Sequence, residues 1–238
     1  MKKLIKKLIP VFLKDYRNKK ISKFNNKNPH EAFTEIYNTN HWMSMESNSG
    51  MGSELIQTKT LITELGKLIA DINIESVLDI PCGDFKWMQK VDLSKIDYIG
   101  ADIVEELIEK NTILFKERDN LTFKVLNLIK DPLPAKDIVI IRDCLVHLSY
   151  KDIYKALKNV KSSGCKYLLT TTFTNHNLNN DIATGEWRPL NLQKRPFNFP
   201  NPILVINENC TEGNGNFKDK SLALWEISKL NNKNGSIF

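Results

Sequence analysis

The sequence predicts an α/β fold, a doubly wound and mostly parallel sheet of seven strands with helices on both faces. Three observations predict it. From residue 53 onward, short apolar runs alternate with longer segments whose apolar residues recur at helical spacing. The runs are rich in β-branched residues and lack polar alternation, which suits strands covered on both faces. Two late runs, after a long irregular stretch, fit an antiparallel closing pair.

Residues 1–52 are expected to form a basic amphipathic helix followed by a lid, and residues 53–238 the main domain. In the tail, Leu4, Ile5, Leu8, Ile9 and Phe12 fall on one helical face and Lys2, Lys3, Lys6 and Lys7 on the other. Pro10 should kink that helix, because it lacks an N–H and crowds the carbonyl four residues back. Ser53 is expected to cap a helix running to about residue 70, with Leu61, Leu65 and Leu68 on its buried stripe. Residues 76–80 (SVLDI) read as the first strand, ended by Pro81-Cys82-Gly83-Asp84. A strand at 97–102, a helix at 103–117 and a strand at 121–126 follow. A Pro-rich turn at 131–134 leads to a strand at 137–141, a helix at 151–161 and a strand at 166–173. Residues 175–201 are rich in Asn and Pro without a clear period and form an insert after the fifth strand. Residues 203–208 and 221–228 close the sheet.

Composition narrows the function classes. With 238 residues, 41% hydrophobic and 26% charged, the chain can bury a sizeable core, and no apolar run approaches the roughly 18 residues of a membrane-spanning helix. The net charge of +6 is uneven: residues 1–20 hold seven Lys and one Arg against Asp15, a net +7 that leaves −1 on the other 218 residues. A nucleic-acid partner is therefore not expected, since it needs basic residues spread over the folded face. Cys82, Cys144, Cys165 and Cys210 are scattered, which suits reduced thiols in a cytoplasmic setting. The tail lacks the uninterrupted apolar stretch and cleavage site of a secretory signal. It reads either as a foot on the anionic inner face of a membrane or a membrane-bound partner, or as a helix packed on its own domain.

In a parallel sheet, ligands sit beyond the carboxyl ends of the strands where strand order reverses. Asp79, Asp102 and the Arg142-Asp143 pair end three strands and should converge there. The first turn, Asp79-Ile-Pro-Cys-Gly-Asp-Phe85, has one glycine rather than the three of a dinucleotide site, which argues against nicotinamide and flavin. Asp102, 23 positions after Asp79, can accept both ribose hydroxyls of a nucleoside. Read alone, Asp79 is equally a strand-end cap and Asp102 a helix cap.

Four segments in order, VLDIPCGD at 77–84, YIGADI at 98–103, NLIKDPLP at 127–134 and DIVIIRDCLVHL at 137–148, resemble the class I S-adenosylmethionine-dependent methyltransferases, whose fold is Rossmann-like. The resemblance spans about residues 50–175. It implies S-adenosyl-L-methionine as cofactor, with Asp79, Cys82 and Gly83 at its methionine end, Asp102 on the ribose, Ile103 against the adenine and Asn127 receiving the adenine amino group. Arg142 belongs to the same set. Family members usually have Gly where this chain has Pro81 and Phe85, so Phe85 is expected to cover the cofactor or the substrate. Residues 40–53 are similar to the lid of some of these enzymes, with Gly50 and Gly52 turning amides toward an anion; the alternative is a flexible linker.

Methyl transfer is an in-line displacement, and a hydroxyl acceptor must lose its proton near the transition state. Asp143, His147 and His176 are the candidate bases. The chain lacks the Asn/Asp-Pro-Pro-aromatic motif common in methylation of base amino groups, so an oxygen acceptor is expected. No metal-spaced cluster appears. The 175–201 insert is expected to recognise the acceptor: Asn177 and Asp181 to hydrogen-bond sugar hydroxyls, Trp187 to offer a face to a sugar ring and Arg188 to grip phosphate. Insert and tail together resemble small methyltransferases of bacterial surface-glycan pathways, which implies O-methylation of a sugar or phosphorylated glycan intermediate. A non-catalytic scaffold of the same fold, tethered by its tail to a glycan assembly complex, is the alternative.

Overall fold

The computed structural model describes residues 22–230, so the expected amphipathic helix of residues 1–20 lies outside the described residues. The sheet has seven strands: β1 (Ser76–Asp79), β2 (Asp97–Asp102), β3 (Leu121–Val125), β4 (Ile138–Ile141), β5 (Tyr167–Phe173), β6 (Leu204–Asn207) and β7 (Lys220–Glu226). Their spatial order is β3-β2-β1-β4-β5-β7-β6. β1 to β5 pair in parallel, and β7 runs antiparallel to both of its neighbours. Strand order reverses at β1, so the crevice opens where Asp79 and Asp102 end their strands.

Period-2 geometry divides each strand between two cores. Val77, Tyr98, Ile138, Ile140 and Leu224 pack with Leu61, Leu65 and Leu68 of α2 (Leu55–Asp71). Leu78, Ile99, Val139 and Ile141 face the other way, onto Ile153, Leu157 and Val160 of α4 (Tyr150–Ser162). Both cores are buried, and truncating a buried Leu such as Leu65 to Ala would cost about 2–5 kcal/mol. Among the described residues no helix is long and apolar enough to cross a membrane.

Several boundaries differ from the sequence expectation. Ser53 lies in a 3-10 turn, Met51–Ser53, and Glu54 occupies the cap position of α2 without a side-chain cap bond. The next helix, α3 (Glu105–Leu114), begins at Glu105 rather than 103, because the Asp102 carboxylate takes the Val104 N–H and Val104 stays extended. The closing strands are shorter than expected, and a 3-10 turn at Ile227–Lys229 follows the last one.

A helix at Pro29–Asn38 (α1) has no counterpart in the sequence expectation. Its signal was present: Asn28 and Glu31 form a reciprocal capping box, with Pro29 at the first helical position. Ala32 and Ile36 bury against Phe24, and Phe24 packs on Gly185 of the insert, so residues 22–52 lie against the main domain. Gly185 has φ +104, and a Cβ there would come within 2.8 Å of the Phe24 ring.

Candidate active site

The floor of the crevice is the turn after β1. Ile80-Pro81 is cis, and Gly83 and Phe85 both adopt positive φ. The Cys82 N–H donates to Ala101 O, and Asn111 Nδ2 donates to Gly83 O at 2.8 Å, so α3 pins the turn. Sequence reasoning missed Asn111. At φ +57 the Phe85 ring turns into the core, 4.9–5.2 Å from the rings of Phe115, Tyr98 and Phe123. The expected cover over the cofactor is therefore absent: Phe85 is a core residue, and the crevice beside it stays open.

Residues 40–53 fold over this turn. Ser47 Oγ donates to Asp84 Oδ2 at 2.8 Å, and the Asp84 N–H donates to Ser49 Oγ at 2.9 Å. A Cβ at Gly83 would overlap Ser49 Oγ, so only glycine lets the two segments meet. The Gly50 N–H bonds Ser47 O, and Gly52 O accepts from Arg142 Nη2 at 2.8 Å. Gly50 thus spends its amide inside the lid rather than on an anion.

The crevice holds about 1080 Å³, including its open mouth. Cys82, Gly83, Asp102, Ile103, Asn127, Arg142, Asp143 and His147 all line it, together with Phe33, Trp42 and Trp87, which the sequence did not point to. Asp79 is not on its wall. It lies beneath the turn, 2% exposed, accepting a 2.7 Å hydrogen bond from Tyr98 Oη. Burial raises its carboxyl to about 7, against the lowering effect of the Tyr98 bond.

A carboxyl raised in the folded state contributes stability that is fully present below the unfolded value near 4 and lost as pH rises through about 7. Charged Asp79 therefore opposes folding at pH 8, by up to about 4 kcal/mol for a shift of this size. Asp79→Asn keeps an acceptor for Tyr98 and removes the titration. Its stability relative to wild type should rise between pH 5 and pH 8 in urea unfolding. Parallel curves for the two proteins would refute a buried, titrating Asp79.

Burial raises Asp102 to about 6, opposed by the N–H groups of Val104, Gly83 and Ile103. Val104 N donates to Oδ1 at 3.0 Å and Gly83 N to Oδ2 at 3.3 Å. The carboxylate keeps acceptor capacity for a ligand hydroxyl. Asp102 thus holds the Val104 N–H just before α3 and also faces the crevice; the cap position itself is occupied by Val104. Asn127 Oδ1 accepts from the Ile129 N–H at 2.9 Å, while its Nδ2 has no partner among the described residues, so the amide offers a donor to a ligand. Leu126, Leu128 and Ile103 supply apolar wall beside it.

Beyond β4 the wall is charged. Asp143, at φ +49, accepts from Lys220 Nζ at 2.6 Å and lies 3.4 Å from Arg142 Nη1. These cations hold its carboxyl down at about 2 despite burial. Arg142 forks onto Glu208 through Nε at 3.2 Å and Nη2 at 2.7 Å, and stacks over Trp87. Lys220 also lies 3.5 Å from Glu208 and 3.6 Å from Glu212. Glu208, Glu212 and Lys220 were not among the sequence candidates, and single residues of common type gave no signal.

His147 is buried with its ring 5.0 Å from that of Trp42. Its Nδ1 lies 2.9 Å from Glu186 O, an acceptor, so Nδ1 carries the proton. Nε2 has no partner among the described residues, and burial lowers the imidazole to about 4. His176 does not join this group; it lies off the crevice wall, its backbone tied to Phe173 and Asn191.

The insert is ordered by its own polar residues. Asn179 Nδ2 donates to Asn191 O and Arg195 O, and Asn191 Nδ2 to Thr174 O and His176 O. Arg188 is buried and donates to Asn180 O, Leu145 O and Leu148 O at 2.8–3.1 Å. That corrects the expected phosphate grip: the guanidinium is spent on main-chain carbonyls. Asp181 Oδ1 accepts from the Tyr150 N–H at the start of α4, and Asn177 is exposed. Trp187 is 43% exposed and braced edge-on by Phe173 and Phe217.

No family profile and no curated protein matches the chain. Among solved structures it is similar to the PH0226 protein from Pyrococcus horikoshii OT3, with TM-score 0.51 and 18% identity over 71% of this chain and 89% of that one. It is also similar to an O-methyltransferase family protein from Burkholderia thailandensis, at TM-score 0.49 and 13% identity over 71% of this chain and 55% of that one. Magnesium protoporphyrin IX methyltransferase from Synechocystis PCC 6803, solved with bound SAH, follows at TM-score 0.43 and 14% identity, over 51% of this chain and 58% of that one. At such identities the likeness is one of architecture: the chain has a Rossmann-like, doubly wound and mostly parallel seven-stranded sheet, with its crevice at the carboxyl ends of the strands.

Proposed function

We propose that this protein is an S-adenosylmethionine-dependent methyltransferase that methylates a hydroxyl oxygen of a sugar or glycan intermediate. One observation carries the reading: a single crevice presents the Asp102 carboxylate and the Asn127 amide on one side and the unpartnered Nε2 of His147 on the other. The donor set fits the cofactor. Asp102 accepts from the ribose hydroxyls, Asn127 Nδ2 donates to a ring nitrogen of the adenine, and Ile103, Leu126 and Leu128 flank the base. When bound, S-adenosylmethionine supplies a methyl group on a sulfonium centre.

The chain's own part is to orient the acceptor and move one proton. His147 Nε2 takes the hydroxyl proton, and the carboxylate of Asp143, held ionised by Lys220, favours the imidazolium that results. Asp143 itself is the poorer base, because two cations stabilise its charge. The oxygen acceptor rests on Arg142-Asp143-Cys144-Leu145 standing where nitrogen methylation commonly places its Asn/Asp-Pro-Pro-aromatic motif. The sugar rests on half-exposed Trp187.

Calorimetry with S-adenosylmethionine and transfer of labelled methyl to cell-extract glycans test the reading; a protein that binds no cofactor overturns it. With an acceptor in hand and S-adenosylmethionine kept saturating at each pH, kcat should stay level from pH 8 to pH 5 and fall only toward pH 4, where His147 protonates. His147→Asn should lose about 100-fold or more in kcat while still binding cofactor. An acid limb near 6.5, or unchanged kcat, would remove His147 as base.

A further inference from the structure

A second depression adjoins the crevice, lined by Phe24, Lys23, His41, Trp42, Glu186 and Trp187. It shares the Trp42 indole with the crevice, and its Glu186 carbonyl is the group that fixes the His147 tautomer. Gly185 N donates to His147 O at 2.8 Å, a second tie between the wall of the groove and the residue that carries the base. A molecule lying in this groove sits against Trp42, whose ring is 5.0 Å from that of His147, and against the residue whose carbonyl holds His147 Nδ1.

The chemistry of the lining selects the occupant. Trp42 and Trp187 offer two indoles, and Trp187 is held in place by Phe173 at 6.0 Å and Phe217 at 4.9 Å. Charge comes from Lys23 and Glu186. Lys23 is committed to His41 Nδ1 at 3.3 Å and to Glu35 at 3.6 Å, whereas the Glu186 carboxylate has no ion pair among the described residues. The uncommitted charge is therefore negative, which repels phosphate and favours hydroxyl donors. An aliphatic chain would leave Glu186 desolvated without a partner. A pyranose satisfies both demands, since its C–H face packs on indole while its edge carries hydroxyls.

We propose that this groove is the acceptor subsite and that it takes an uncharged sugar ring, stacked on Trp187 or Trp42 with a hydroxyl on Glu186, which narrows the acceptor to a neutral rather than phosphorylated glycan unit. The inference rests on the methyltransferase reading above. It is tested by saturation-transfer NMR on the full chain saturated with S-adenosylhomocysteine, using neutral methyl hexosides and methyl deoxyhexosides beside hexose 1-phosphates.

At least one neutral glycoside should bind more tightly than any hexose phosphate. Trp187→Ala should weaken it tenfold or more, Trp187→Phe should largely restore it, and Glu186→Gln should weaken it severalfold with the thermal midpoint and S-adenosylhomocysteine affinity unchanged. No glycoside binding, equal binding to Trp187→Ala, or preference for the phosphates overturns the subsite while leaving the methyltransferase reading standing if S-adenosylhomocysteine still binds. Failure to bind S-adenosylhomocysteine removes both.

Discussion

Asp102→Ala is expected to weaken S-adenosylmethionine binding by about 100-fold or more, on the ground that hydrogen bonds to a charged group contribute about 1.5–3 kcal/mol each and two ribose hydroxyls are at stake. The carboxylate is buried at the end of β2, where few waters compete with a ligand. Its internal bonds, from the N–H groups of Val104, Gly83 and Ile103, leave part of its acceptor capacity for a ligand hydroxyl. The same burial gives a signature in pH. Because Asp102 titrates at about 6, cofactor affinity in the wild type should decline as pH falls through that value, when the carboxyl gains a proton and loses its charge. Asp102→Asn should bind weakly and with little change from pH 8 to pH 5. Calorimetry across that range reads both effects, and wild-type affinity in either variant would move the ribose site elsewhere.

Glu208→Ala is expected to lower the thermal midpoint by roughly 10 °C, since unpairing a buried ion costs about 3–5 kcal/mol and each kcal/mol is worth about 2–4 °C in a domain of this size. Glu208 is 1% exposed and sits between Arg142 and Lys220, themselves 4% and 5% exposed. Removing it leaves two buried cations with only Asp143 and Glu212, both closer to solvent. Arg142 also holds Gly52 O, so the lid should loosen and S-adenosylmethionine affinity should drop with stability. Glu208→Gln, which keeps the acceptor and loses the charge, should fall between. A midpoint within about 2 °C of wild type would mean that the pairing adds nothing net, as buried ion pairs sometimes do.

The parts of the site that could be read from residue order alone are those set by the backbone. Asp102 had to end a strand because the apolar run before it does, and parallel sheets gather such ends at one edge. The α1 helix was readable too, from Asn28, Pro29 and Glu31, though its position over the crevice was not. Phe85 was misplaced because its direction depends on one positive φ in a turn with a single glycine. Arg188 looked like an anion grip, yet it faces three carbonyls left free by the irregular chain at Asn180, Leu145 and Leu148.

Strand count, parallel pairing and the reversed β7 follow from local periodicity and from rules of sheet connection, so they are written along the chain. Which carboxylate meets which cation is not. Glu208 lies 66 positions from Arg142, and Asp143 lies 77 from Lys220. A lone charged residue looks the same whether it ends in water or in a buried cluster. That choice is made by packing in three dimensions, where burial removes solvent as a partner and leaves each charge only the neighbours the fold supplies.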